Sequence, residues 1–186
     1  PIHFVNVGSG RPKTRYGRWL LRLILPRART LLVRDQRSLR VCRELAAEKA
    51  VLVPDVVFAL EASGDGPSEY ERPYIVVALR FLFNEGKNVG LPESTLRNLA
   101  DVLDEAAAPT KTSIVFVPFQ DARGWQDEVL HRKVHGYMSH GDRVHHRPWS
   151  ADFPRLTSVF SHAQAVICVP LHALVVSVRS RSRFLY

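Results

Sequence analysis

Residues 165–174 (AVICVPLHAL) bring a titratable imidazole to a place where chemistry is easily done. An apolar run closed by proline reads as a parallel strand buried on both faces. Pro170 suits the first helical position, where its missing N–H costs nothing. His172 then falls in the first turn of a helix, at the carboxyl edge of a sheet. Free N–H groups and the positive dipole end favour an anion there, and open α/β sheets take their ligands at that edge. An imidazole beside an anion can donate or accept a proton during a reaction. The same residue can equally well cap or pack at a helix start.

Other polar residues follow apolar runs in the same way. Arg80 ends the strand-like run 74–79, and Phe119-Gln120-Asp121 follows the run 113–118. With His172 they give three polar points for one sheet edge, although loops are polar for ordinary reasons too. Asp55 stands just past the apolar run 50–53, where a carboxylate caps the next turn or faces a cleft. Gly8-Ser9-Gly10 follows a short strand, but it lacks both the dinucleotide fingerprint and a P-loop Lys-Ser/Thr. It reads as a tight turn before a phosphate cradle. His131, His135, His140, His145 and His146 tempt a metal reading, since the first two are one helical turn apart. The intervening Arg132 and Lys133 repel a cation, and no Cys or helix-borne Glu completes a zinc pattern. A polar helix followed by a basic loop is the plain alternative, and no metal is assigned.

The elements that must position these residues alternate. Helical periodicity predicts helices over 16–25 (Trp19, Leu20, Leu23 and Ile24 on one face), 36–47 (Leu39, Cys42 and Leu45 inward, Asp35 capping), 92–107 (Leu96, Leu99, Val102 and Leu103) and 125–137. Apolar runs at 2–7, 30–34, 50–53, 74–79 and 113–118 predict strands. Strands alternating with helices of this length mean parallel α/β sheets. The polar, Gly- and Pro-rich stretch 61–73 (EASGDGPSEYERP) reads as a linker. The expected division is residues 1–62, a linker over 63–73, and a second Rossmann-like domain over 74–186.

Four blocks then carry a resemblance. They are residues 32–39 (LVRDQRSL, like V-R-D-x-x-S), 53–60 (VPDVVFAL, like D-x-x-F-x-L), 75–80 (IVVALR, a strand ending in Arg) and 170–174 (PLHAL, like R-L-H-A-L). In this order and spacing the chain resembles the polysaccharide pyruvyl transferase family. The resemblance implies a GT-B-like fold of two Rossmann-like α/β units with parallel sheets, the first one incomplete, because the match covers about the later two-thirds of a typical member. It implies transfer of the enolpyruvyl group of phosphoenolpyruvate onto a sugar of a cell-surface glycan, as a pyruvate ketal. Under it Arg80 holds the phosphoenolpyruvate anion, Leu171 lines its pocket, and His172 is the acid–base catalyst. Phosphoenolpyruvate is a co-substrate, the acceptor is a glycan or glycolipid, and no cofactor is called for. The pattern departs at Pro170, where members carry an Arg that contacts the phosphoenolpyruvate anion. Pro supplies neither charge nor donor, so weak or absent catalysis is expected of the chain as it stands.

Composition bounds the alternatives. With 186 residues and 46% hydrophobic content the chain can bury a real core. No apolar run approaches membrane-spanning length, residues 19–25 are interrupted by Arg22, and no secretory signal opens the chain. Cys42 and Cys168 lie in apolar or helical patterns and read as reduced thiols, which makes the cytoplasm the default compartment. The formal net charge of +8 is concentrated in the first forty residues and the last eight. Aromatic residues do not interleave with those charges as a base-stacking surface requires, which argues against nucleic acid. A basic face toward an anionic substrate or a membrane-borne glycan carrier, with peripheral membrane association, fits better, and a merely solvated face fits too. Three functions are carried forward: an active transferase, a folded member without catalysis, and a basic anion-binding module.

Overall fold

The computed structural model describes residues 1–8, 10–45, 47–59, 66–84, 87–89, 91–122 and 125–186. It divides into two compact units, Pro1–Leu60 and Glu61–Tyr186. Both are Rossmann-like α/β, each built on a sheet whose strands are all parallel. Residues 61–65 of the expected linker lie outside the described residues.

The first unit runs β1 (His3–Val7), α1 (Arg15–Ile24), β2 (Thr30–Val33), α2 (Gln36–Glu44) and β3 (Val51–Leu52), with strand order β1-β2-β3. Leu31 and Val33 of β2 meet Leu39 and Cys42 of α2 and Leu45 just past its end in one core, the inward set that the periodicity requires. Asp35 caps α2 as expected: its Oδ1 accepts the Ser38 N–H at 2.7 Å and its Oδ2 accepts the Ser38 hydroxyl at 2.9 Å. Two expectations fail here. β3 is a two-residue edge strand with both residues exposed, not a buried one, because only β2 pairs with it. The apolar residues expected on one face of α1 point mostly to solvent: Trp19, Leu20 and Leu23 are exposed and only Ile24 is half-buried.

The second unit has strand order β10-β7-β4-β11-β12, with β4 (Tyr74–Ala78) at the centre and buried along its whole length. The flanking elements are α3 (Glu93–Ala107), β7 (Ser113–Phe116), α4 (Asp127–His135), β10 (Val144–His146), α5 (Phe153–Ser161), β11 (Ala165–Cys168), α6 (Leu171–Arg179) and β12 (Phe184–Leu185). Two antiparallel ribbons are added, β5–β6 (Leu82–Asn84 with Lys87–Val89) and β8–β9 (Asp121–Ala122 with Trp125–Gln126). The second ribbon shortens the helix expected over 125–137, which starts instead at Asp127. On α3 the buried face is Leu96, Ala100, Leu103 and Ala107, at spacings of four, three and four. Val102 lies off that stripe and is exposed. Within the basic loop expected after α4, Val144, His145 and His146 form a strand, pairing in parallel with Ile114, Val115 and Phe116. Short polar strands of this kind carry little periodicity.

Candidate functional site

The carboxyl ends of β7, β4 and β11 lie along one edge of the second sheet, on three neighbouring strands. Cys168 of β11 is paired with Ala78 of β4, and the Val169 N–H donates to the Ala78 carbonyl at 2.9 Å. On the other side of β4 the Val117 N–H donates to the Val77 carbonyl at 3.0 Å. Arg80 therefore leaves the sheet two residues after Ala78, with Gln120 on its β7 side and Pro170-Leu171-His172 on its β11 side. The strand order brings the three expected polar points to one edge.

Arg80 is half-buried, and its guanidinium donates to the Gln120 Oε1. Asp127, the first residue of α4, is almost fully buried nearby, and its Oδ2 accepts the Phe119 N–H at 2.9 Å. Burial pushes the Asp127 carboxyl above the usual range, against the pull of the Phe119 N–H, the Arg80 charge and the Gln120 N–H. One turn further along α4, His131 is fully buried, and its Nε2 accepts the Leu79 N–H at 3.1 Å. Burial drives its pKa down to about 3, and the neighbouring His146 adds to the shift. His131 is thus neutral, with the proton on Nδ1. The strand end that carries Arg80 is tied to α4 from both sides, through Leu79 to His131 and through Gln120 and Phe119 to Asp127.

The histidines expected as a cluster serve this frame. His131 and His146 both stack on Phe116, with ring centroids at 5.0 and 5.2 Å. The His135 Nδ1 lies 2.9 Å from the His146 Nε2. The partners found for His131 and His135 are thus a backbone amide and another imidazole. Among the described residues no group of three His, Cys, Asp or Glu side chains is arranged to hold a metal ion.

His172 is the second residue of α6 and is half-buried; Leu171 is exposed in front of it. Pro170 sits one place earlier than expected, as the N-cap of α6 with an extended backbone (φ −68°, ψ 133°), and its side chain is buried. Its carbonyl still accepts the Leu174 N–H, so α6 begins at full strength without a side-chain cap. The sequence had pointed to Arg80, Gln120 and His172 but missed Asp127, and it had raised His131 only as a member of a metal-like histidine cluster. Their i, i+4 spacing at the start of a helix was the available signal, hidden because the helix seemed to begin at Trp125.

In the first unit the first two sequence blocks meet. The Arg34 Nη1 lies 3.3 Å from the Asp55 Oδ2, while the Asp55 Oδ1 accepts the Val57 N–H at 3.1 Å. Asp55 thus caps a turn and faces a cation at once. A Cβ on Gly8 would approach the Arg34 Nε at 3.0 Å, so this glycine makes room for the guanidinium.

A model of the polysaccharide pyruvyl transferase family matches residues 1–184 of the 186. The chain belongs to the polysaccharide pyruvyl transferase family. No curated protein matches it in sequence. For this pyruvyl transferase family member, the D-x-x-S part of the first block is a helix cap, Asp35 to Ser38. The Arg before it is the partner of the second block's Asp. The third and fourth blocks supply the strand ends at which Arg80 and His172 stand.

Proposed function

We propose that this chain binds phosphoenolpyruvate at the Arg80–His172 edge and passes its enolpyruvyl carbons to a sugar diol of a cell-surface glycan or glycolipid. The observation that carries the reading is the placement of a guanidinium and an imidazole at the ends of adjacent parallel strands, β4 and β11. In the reaction the methylene carbon of phosphoenolpyruvate gains a proton and its C2 becomes electrophilic. Two sugar hydroxyls add to C2, both hydroxyl protons are released, and the C2–O bond to phosphate breaks. The products are a cyclic pyruvate ketal and inorganic phosphate, with no change of oxidation state. Arg80, oriented by Gln120, holds the carboxylate or phosphate of the substrate. His172 moves the proton, and Leu171 offers apolar contact beside it. The work is done in the cytoplasm, at the membrane surface where a glycan carrier would be met.

Pro170 favours a second reading, a folded member that binds phosphoenolpyruvate without turning it over. Phosphate release with a galactose- or mannosamine-type acceptor, run beside calorimetric titration of phosphoenolpyruvate, separates the two. An active chain loses roughly 10²–10⁴-fold in turnover with His172→Ala while keeping its affinity. Arg80→Ala weakens phosphoenolpyruvate binding roughly 10–100-fold. Binding without phosphate release selects the second reading. Absence of binding sinks both.

A further inference from the structure

Helix α1 presents three different sectors, and only one of them faces its own sheet. At 100° per residue, Gly17, Leu21 and Ile24 share the inward side, and all three are half-buried. Tyr16, Trp19, Leu20 and Leu23 share a second arc and are 70, 55, 38 and 37% exposed. Arg15, Arg18 and Arg22 fill the arc beside it and are all exposed. The helix has no buried residue. Tyr16 and Trp19 lie together, with ring centroids 5.8 Å apart, as an aromatic pair turned away from the sheet.

The arginine side of the helix continues into two adjoining crevices of about 190 and 390 Å³, lined by Arg11, Arg18, Arg22, Arg37, Arg40 and Glu44 among others. Five guanidinium groups face one carboxylate. Among the described residues the one ion pair in this group is Arg11–Glu44, at 2.7 Å. An apolar, aromatic arc bordered by an uncompensated cationic crevice is complementary to an amphiphilic surface. Tyr and Trp rings sit at head-group level, Leu side chains reach the acyl boundary, and arginines meet phosphates. Contrary to the expectation from composition, Tyr16 and Trp19 do interleave with these arginines, but a nucleic acid would match the charge and the rings and leave Leu20 and Leu23 in water.

From this we infer that α1 and its arginine crevice form a docking surface for a bilayer containing anionic phospholipid. The helix has ten residues, too few to span a membrane, and among the described residues no helix is long and apolar enough to do so. Docking is therefore in-plane, reversible and salt-sensitive. Each arginine near such a surface contributes roughly a fivefold gain in partitioning. The inference deepens the membrane part of the proposed function.

Co-sedimentation of the full chain with phosphatidylglycerol-containing vesicles, against pure phosphatidylcholine vesicles, tests it. Binding is expected only to the anionic vesicles and is expected to fall as salt is raised. Trp19→Ser with Leu23→Ser, and separately Arg18→Glu with Arg22→Glu, should each reduce it at least tenfold. The far-UV dichroism should stay unchanged, because none of these side chains is in the core. No sedimentation with anionic vesicles, or sedimentation untouched by both pairs of changes, overturns the inference. So does a dimer in light scattering that these variants dissolve while vesicles are ignored, because the arc would then belong to a second copy. Phosphoenolpyruvate titration and phosphate release on the same preparations keep the readings apart. A chain that releases phosphate but ignores vesicles loses only this inference. One that docks on vesicles but ignores phosphoenolpyruvate loses only the transferase reading.

Discussion

The two units use the same strand–turn–helix grammar and treat their polar residues in opposite ways. In the first unit Asp35 spends its carboxylate on Ser38, which holds its pKa below the usual range, and Asp55 meets both Arg34 and a backbone N–H. These groups satisfy one another locally at a partly solvated edge. In the second unit Asp127 and His131 are buried, and burial opposes the charged form of each. They hold backbone amides at the ends of β4 and β7, beside Arg80. A chain keeps such costly groups inside when they fix a geometry. The contrast is between buried groups that tie strand ends in the second unit and partly solvated caps in the first.

The largest way to break this contrast is to remove the buried clamp. His131→Ala should cost about 3–5 kcal/mol, because it opens a cavity beside Phe116 and strands the Leu79 N–H. Urea unfolding of the variant beside the native chain measures this. A loss below about 1 kcal/mol would place His131 with the solvated caps of the first unit.

Acid sharpens the comparison. His131 is pushed down to about 3 when folded, so between its ordinary value of 6.5 and that pH the unfolded chain binds the extra proton. Its contribution is fully present above about pH 6.5 and is lost as the pH falls through that window, at about 1.4 kcal/mol per pH unit. His146, also lowered by burial, adds in the same direction. Asp127 opposes them. Its raised value means that its stabilising share is present at low pH and lost as the pH rises through the folded value. Stability measured from pH 7 to 4 should fall steeply in the native chain and less steeply in His131→Gln, which keeps an acceptor for Leu79. Equal slopes would show that the histidine is not the acid-sensitive group.

Pro170→Arg tests the site itself. A guanidinium restored in front of Leu171-His172 should tighten phosphoenolpyruvate binding by about 1.5–3 kcal/mol, or roughly one to two powers of ten. The backbone at 170 suits Arg, but the Pro170 side chain is buried, so the longer one must turn outward to reach the edge. Unchanged affinity in a folded variant would remove position 170 from the anion site.

The smallest effects belong to the first unit. Asp35→Ala should cost about 1 kcal/mol as a lost helix cap. Arg34→Ala should cost less than that, since its pair with Asp55 is partly exposed. A first-unit change that matched His131→Ala would erase the contrast between the units.

Much of this was legible in the sequence. The continuous apolar runs ending in Arg80 and before His172 announce buried parallel strands, because a strand covered on both faces needs apolar residues at every position. The α/β class and the capping role of Asp35 follow from local pattern in the same way, while the family rests on the resemblance of the four blocks. What local pattern could not decide is which strands are neighbours. Only the order β7-β4-β11 brings Gln120, Arg80 and His172 to the ends of neighbouring strands. Only the packing of α4 against β4 and β7 turns Asp127 and His131 into the clamp behind them. The same holds for α1, whose outward apolar arc reads in sequence as an ordinary core-facing helix. Periodicity records that a face is apolar. What that face meets is set by contacts between distant segments, and these exist only in the folded chain.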